Sequence, residues 1–285
     1  MDPDFDGRYD ERGTDPPLSQ RWKKVGTMSG LTDKTAKPPV LLLHGLWGRP
    51  ALFEPWIRRL EAAGFECHAP TLPGRDPTDK EVLGRSSLRD FFDVALEAYD
   101  DLSEPPIVLG HSVGGLLGQK LAAERDCAAL VLLASVAPGV FWTQLRALPH
   151  FLPLLPSILA AQPIPASPST MRAVPLSTLP ESEQDDLIPR LVWDSGRVFR
   201  ELLLGSRSTR VKAADVKCPV LCVSAGADRN VAPWISKRIA ARYHAEHQVH
   251  PGLPHWIIAK SALDEVAPPV MTWLQATLNV TIPLM

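Results

Sequence analysis

The chain has little cysteine, little net charge and no long apolar run. Its four cysteines, Cys67, Cys127, Cys218 and Cys222, are too few and too scattered for a disulfide framework. Cys218-Pro219-Val220-Leu221-Cys222 has the wrong spacing for a Cys-x-x-Cys metal or redox site. Three of the four fall in or beside predicted strands, where cysteine behaves as a small buried hydrophobe. Neither a metal nor a cofactor is expected. A formal net charge of −2 gives no broad attraction to nucleic acid or to an anionic membrane. No apolar run reaches the roughly 18 residues that span a bilayer. The start, Met1-Asp2-Pro3-Asp4-Phe5-Asp6, is acidic and lacks the basic-then-apolar layout of a secretion signal, so a cytoplasmic location is expected. There is no internal repeat or low-complexity tract. The oligomeric state is not readable.

What is abundant is proline, 29 residues in 285 and about double its ordinary share. Residues 1–38 read as a polar extension, with one short edge strand at Arg21-Trp22-Lys23-Lys24-Val25. Strand and helix then alternate. Pro39-Val40-Leu41-Leu42-Leu43-His44-Gly45 suits a strand buried on both faces. Leu52, Phe53, Trp56, Ile57 and Leu60 recur at helical spacing, and Gly64 closes that helix. Phe65 to Ala69 reads as a strand, Leu88 to Tyr99 as a helix, and Ala129 to Ala134 as another strand. This alternation predicts an α/β fold with a parallel sheet. From Val140 to Ser206 the pattern breaks: nine prolines fall there among many leucines, a density that keeps helices short. The segment 140–206 is expected to be an inserted helical cap, with the core formed by 39–139 and 207–285. Alternation resumes with a strand at Pro219–Ser224, a helix from Val231 to Tyr243, a strand from Ala245 to His250 and a closing helix from Asp264 to Leu278.

The chemistry is announced at Gly110-His111-Ser112-Val113-Gly114-Gly115. An apolar strand, Ile107-Val108-Leu109, precedes it and an apolar-periodic run, Leu116 to Ala123, follows. Gly-x-Ser-x-Gly between strand and helix is a nucleophile elbow: the serine sits on a sharp, strained turn and projects its hydroxyl from the sheet. The helix that follows aims its free N–H groups at that point, where an oxyanion would form. A serine hydroxyl needs an adjacent base, and the base needs a carboxylate to hold its tautomer. On this architecture they follow the elbow in the order acid, then histidine, just past strand ends. Asp228, in Ala225-Gly226-Ala227-Asp228-Arg229-Asn230, fits the acid. His255, in Pro254-His255-Trp256, fits the base.

His44-Gly45, the Ser112 elbow, Gly226-Ala227-Asp228 and Pro254-His255-Trp256 together resemble the α/β-hydrolase superfamily over roughly residues 39–280. The esterase, lysophospholipase and non-haem haloperoxidase-like branch is the most similar. The resemblance implies a mostly parallel twisted sheet flanked by helices, with Ser112 as nucleophile, His255 as general base and then acid, and Asp228 as its orienter. It also implies an oxyanion hole made by the backbone N–H groups of Leu46 and Val113, with Trp47 ranked behind Leu46; His44 reads as structural. Two features depart from the family: residues 1–38 show only one faint strand where two or more are common, and Thr71-Leu72-Pro73-Gly74-Arg75-Asp76 replaces an aspartate followed by Arg-Gly-x-Gly. A serine nucleophile favours attack on a carbonyl over the sp³ carbon that aspartate-dependent relatives attack. The activity implied is hydrolysis of a small, largely apolar ester or lactone through an acyl-enzyme. Cofactor-free lyase, perhydrolase or carbon–carbon hydrolase chemistry on the same residues, and a ligand receptor on a hydrolase scaffold, are the alternatives.

Large apolar residues in or near the cap, among them Trp47, Phe141, Trp142, Phe151, Leu154, Leu155, Ile158 and Trp193, together with Trp256, predict a hydrophobic cleft over the strand ends. Arg146, His150 and Arg197 are candidates for reading a polar end of the substrate.

Overall fold

The computed structural model describes residues 37–75, 80–141 and 143–281. The chain divides into two units, Met1–Ala36 and Lys37–Met285, and all described residues belong to the second. The edge strand expected at Arg21–Val25 lies outside the described residues.

Six strands form one parallel sheet among the described residues: β1 (Val40–Leu43), β2 (Cys67–His68), β3 (Ile107–His111), β4 (Ala129–Leu133), β7 (Val220–Ala225) and β8 (Glu246–His250). Their order is β2-β1-β3-β4-β7-β8, and every pairing is parallel. The inner strands β1, β3, β4 and β7 are buried at every position, as expected when helices cover both faces. The edges look different. β2 is only two residues long, so of the strand expected over Phe65–Ala69 only its middle pairs with the sheet. β8 carries Glu246, His247 and Gln248, polar residues that discourage a further strand from adding there.

Helices α1 (Glu54–Ala62), α2 (Lys80–Arg85) and α3 (Leu88–Asp100) link β1 to β2 and β2 to β3. α3 starts at a capping box: the Ser87 hydroxyl accepts from the Asp90 N–H, and the Asp90 carboxylate accepts from the Ser87 N–H at 2.7 Å. Its buried face is Leu88, Phe91, Phe92 and Ala95, the spacing visible in the sequence. α4 (Val113–Glu124) links β3 to β4 and is buried along most of its length, with Gly114, Gly115 and Gly118 letting it lie close to the sheet.

Between β4 and β7 the chain builds short helices: α5 (Leu148–Phe151), α6 (Leu155–Leu159), α7 (Pro168–Ala173), α8 (Glu181–Leu187) and α9 (Gly196–Leu204). Pro149, Pro156 and Pro168 occupy first-turn positions, so these prolines begin helices as well as limit them. A ribbon of two antiparallel strands, β5 (Pro163–Ile164) and β6 (Asp194–Ser195), joins the segment to itself. Strands of two residues carry no readable period, and the sequence did not announce them.

After β7 come α10 (Pro233–Tyr243) and, past β8, α11 (Lys260–Leu278). α11 begins four residues earlier than the apolar periodicity suggests and runs through Pro268 and Pro269. Burial of Ala262, Val266, Val270 and Leu274 against the core outweighs the hydrogen bonds those prolines cannot donate. No helix of the described residues is long and apolar enough to cross a membrane.

Candidate active site

Ser112 follows directly on β3, Asp228 follows β7 and His255 follows β8, so the sheet order sets all three at the same rim. Ser112 adopts φ 55° and ψ −119°, a conformation that a side chain disfavours. Its neighbours hold it there. The Ser112 N–H donates to the Leu133 carbonyl at 3.0 Å, and its own carbonyl accepts from Gly115 and Val136 at 3.0 Å each. The turn is so tight that a Cβ on Gly114 would lie 1.9 Å from the Leu43 carbonyl oxygen, which is why no other residue fits.

The Asp228 and His255 loops are stitched together. Gly226 donates to the His250 carbonyl at 2.7 Å and Ala227 to the Leu253 carbonyl at 3.0 Å. A Cβ on Gly226 would meet Pro251 backbone at 2.5 Å, so this approach also requires glycine.

The side chains then meet. His255 Nε2 is 2.9 Å from Ser112 Oγ, and His255 Nδ1 is 2.7 Å from Asp228 Oδ2. Ser112, Asp228 and His255 are 5%, 0% and 3% exposed, so this chain of polar groups is screened from bulk water. Asp228 Oδ1 accepts the N–H groups of Asn230 at 2.6 Å and Val231 at 2.8 Å, which keep the carboxylate fixed. A carboxylate so placed is able to hold the Nδ1–H tautomer of His255, an arrangement in which Nε2 is free to accept a proton from the serine hydroxyl.

Around this chain lie residues that the sequence did not single out. His111 Nε2 donates to the His255 carbonyl at 2.9 Å. Burial, and secondarily the neighbouring His255, push the His111 pKa down to about 3, so its ring stays neutral beside the His255 imidazole. Gln119, wholly buried in α4, donates to Ser135 Oγ at 2.9 Å and the Val136 carbonyl at 3.0 Å, and accepts from the Tyr243 hydroxyl at 2.9 Å. It braces the underside of the elbow. Gln144 Nε2 at 2.5 Å and Arg146 Nη2 at 2.8 Å both donate to the Asp228 carbonyl.

The loop after β1 supplies the other wall. His44 is buried, with Nδ1 donating to the Gly45 carbonyl at 3.0 Å. Burial and then the Arg75 charge push its pKa down to about 3. Leu46 and Val113 face the same cavity as Ser112, and neither backbone N–H is engaged by an acceptor among the described residues. The Trp47 N–H, ranked second at the sequence level, donates instead to Asp194 Oδ2 at 2.5 Å.

A cavity of about 240 Å³ opens above Ser112. Leu46, Trp47, Phe141, Phe151, Phe199 and Trp256 line it, with leucines of α5, α6 and α9. Away from Ser112, His111 and His255, its polar lining is Thr143 and Asn230, which bond each other at 3.1 Å. Trp142 lies outside the described residues. Arg146, His150 and Arg197, candidates for a polar end of the substrate, do not line the cavity. Arg146 is turned onto the Asp228 carbonyl, and Arg197 Nη1 onto the Arg85 carbonyl at 2.9 Å. Trp193 does not line it either.

The sequence profile of the alpha/beta hydrolase family matches residues 40–268. A pyrethroid hydrolase of Sphingobium wenxiniae is 31% identical over 105 residues, 35% of this chain and 38% of that protein; the match spans well under half of the relative. Among solved structures, a pyrethroid hydrolase superposes with TM-score 0.62 at 18% identity, over 85% of this chain and 98% of that one. A monoacylglycerol lipase of Paleococcus ferrophilus gives TM-score 0.63 at 21% identity, over 84% and 94%. A methylesterase from Arabidopsis gives 0.59 at 16% identity, over 83% and 99%.

Proposed function

This chain belongs to the alpha/beta hydrolase family, and from that premise we propose that it is a serine hydrolase that cleaves a small, largely apolar ester or lactone through an acyl-enzyme. The observation that carries the reading is the hydrogen-bonded relay Ser112–His255–Asp228 opening into an apolar cavity. Ser112 Oγ attacks the substrate carbonyl while His255 Nε2 takes its proton. The Asp228 carboxylate stabilises the imidazolium formed. The backbone N–H groups of Leu46 and Val113 donate to the oxyanion, each worth about 3 kcal/mol to the transition state. His255 then gives the proton to the leaving alcohol. In the second half it removes a proton from water, which attacks the acyl carbon, and returns that proton to Ser112 Oγ as the acyl–oxygen bond breaks and the free acid leaves.

Substrate size follows from the cavity. At about 240 Å³ it falls below the roughly 300–1,000 Å³ of sites for drug-sized ligands, and its lining offers little to a charged group. The names of the similar proteins, a pyrethroid hydrolase, a methylesterase and a monoacylglycerol lipase, support an ester as substrate class.

A series of p-nitrophenyl esters tests the reading. Turnover is expected to depend on Ser112 and to rise from acetate to butyrate as the acyl chain fills the cavity. Equal rates for acetate and butyrate would contradict the apolar pocket, and turnover by Ser112→Ala would contradict the mechanism.

A further inference from the structure

Arg75 and Asp194 come from distant parts of the chain, one in the loop after β2 and the other in β6. Their side chains are 1% and 0% exposed, and Arg75 Nη1 lies 2.6 Å from Asp194 Oδ2. A buried ion pair survives only with its remaining hydrogen bonds satisfied. Here all of them but one are made, Arg75 Nε alone having no hydrogen-bond partner among the described residues. Asp194 Oδ1 accepts from the Ser195 N–H at 2.7 Å and from Arg75 Nη2 at 3.3 Å. Arg75 Nη1 also donates to the Trp193 carbonyl at 3.2 Å, and the guanidinium lies 5.0 Å from the centre of the Phe91 ring. The last acceptor site on Asp194 goes to the Trp47 N–H.

Trp47 has φ 57°, a value that a bulky residue keeps only where its surroundings impose it. Both sides of the residue are held by the same stretch: its N–H by Asp194, and its carbonyl by the Val192 N–H at 3.0 Å. Leu46 precedes it directly, and the direction of the Leu46 N–H depends on how the next residue is fixed. An oxyanion donor acts only within a few tenths of an ångström of its productive place.

We propose that the Arg75–Asp194 pair is a positioning device for the oxyanion hole: it clamps Trp47 and thereby aims the Leu46 N–H at the substrate carbonyl. The proposal rests on the serine-hydrolase reading above. It also couples two parts of the molecule. Withdrawal of residues 192–195 from the β1 loop breaks both bonds to Trp47, so the donor is assembled only while that segment is seated.

The test uses full-length protein carrying Asp194→Asn, and separately the double variant Arg75→Met/Asp194→Leu. The double variant replaces a buried ion pair by apolar side chains, an exchange that buried pairs often tolerate without loss of stability. Both leave Trp47 without its carboxylate. Three quantities are read: kcat and KM for p-nitrophenyl butyrate, inhibition by a boronic acid that forms a tetrahedral adduct on serine, and inhibition by a non-reacting ether analogue of the ester. The proposal expects kcat to fall by about tenfold or more with KM nearly unchanged, boronate binding to weaken in parallel, and ether binding to stay as in the wild type. It is overturned if kcat stays within about twofold of wild type in both variants, or if ether and boronate binding weaken equally, which is the mark of a merely structural role. Loss of activity in Ser112→Ala with no effect of either variant defeats the clamp and leaves the serine-hydrolase reading standing. Wild-type protein without Ser112-dependent turnover defeats that reading itself.

Discussion

A serine held at φ 55° keeps that conformation because three backbone hydrogen bonds and a glycine two residues on leave it no alternative. The strain costs of the order of 1–3 kcal/mol and sets a hydroxyl at the start of a helix, facing the cavity. On the proposed mechanism Ser112→Ala lowers kcat by about a millionfold, as removal of the nucleophile does in a serine-protease triad. Circular dichroism is expected to be unchanged. Asp228→Asn keeps the shape but reverses the tautomer preference of His255, and is expected to cost about 10⁴-fold in kcat. Steady-state assays with p-nitrophenyl butyrate check both. At this scale the sequence is informative about Ser112, Asp228 and His255, because motif and chain order carry them. It is silent about His111, Gln119 and Arg75. Each is a polar residue whose meaning comes from a partner far along the chain: the carbonyl of residue 255, the hydroxyl of Tyr243, the carboxylate of Asp194.

Elements differ in how much of them is written locally. β1, β3 and β4 are legible because a strand buried on both faces is a continuous apolar run, and α3 because its buried stripe is local. The ribbon β5–β6 is not, since two-residue strands are selected by their pairing and not by any period. α11 is legible from Asp264 to Leu278 but not in its first four residues, where Ala262 and Leu263 are set by burial against the core. At the elbow, Gly114→Ala is expected to unfold the protein or lower its melting temperature sharply, because the added methyl collides with the backbone of β1 and no flexible side chain can yield. In the segment between β4 and β7, Phe199 packs on Trp47 with ring centroids 5.1 Å apart and lines the cavity. Phe199→Ala enlarges that cavity and is expected to move the preferred p-nitrophenyl ester toward longer acyl chains, at a stability cost of about 3 kcal/mol or less because the residue is only partly buried. A chain-length profile and a denaturant melt separate the two effects.

For the whole molecule, one consequence of the buried site is an acid limit to stability. His44 and His111 have pKa values pushed down to about 3 by burial, while in the unfolded chain they titrate near 6.5. Between those values the unfolded state binds protons that the folded state refuses. The stability these residues contribute is therefore fully present above about pH 6.5 and is lost as pH falls toward 3, at up to about 1.4 kcal/mol per pH unit for each. His111→Gln keeps a donor near the His255 carbonyl and removes one titration. Melting temperatures measured from pH 7 to pH 4 are expected to decline less steeply in that variant than in the wild type; an unchanged slope would show that His111 titrates normally.

Everything proposed about activity depends on Ser112 being the atom that becomes acylated. The direct measurement is reaction with a fluorophosphonate followed by mass mapping of the labelled peptides. One phosphonyl group on Ser112, with turnover lost in proportion and no labelling of Ser112→Ala, is the predicted result. Labelling at another residue, or full ester turnover by a chain whose Ser112 is blocked, would contradict the account.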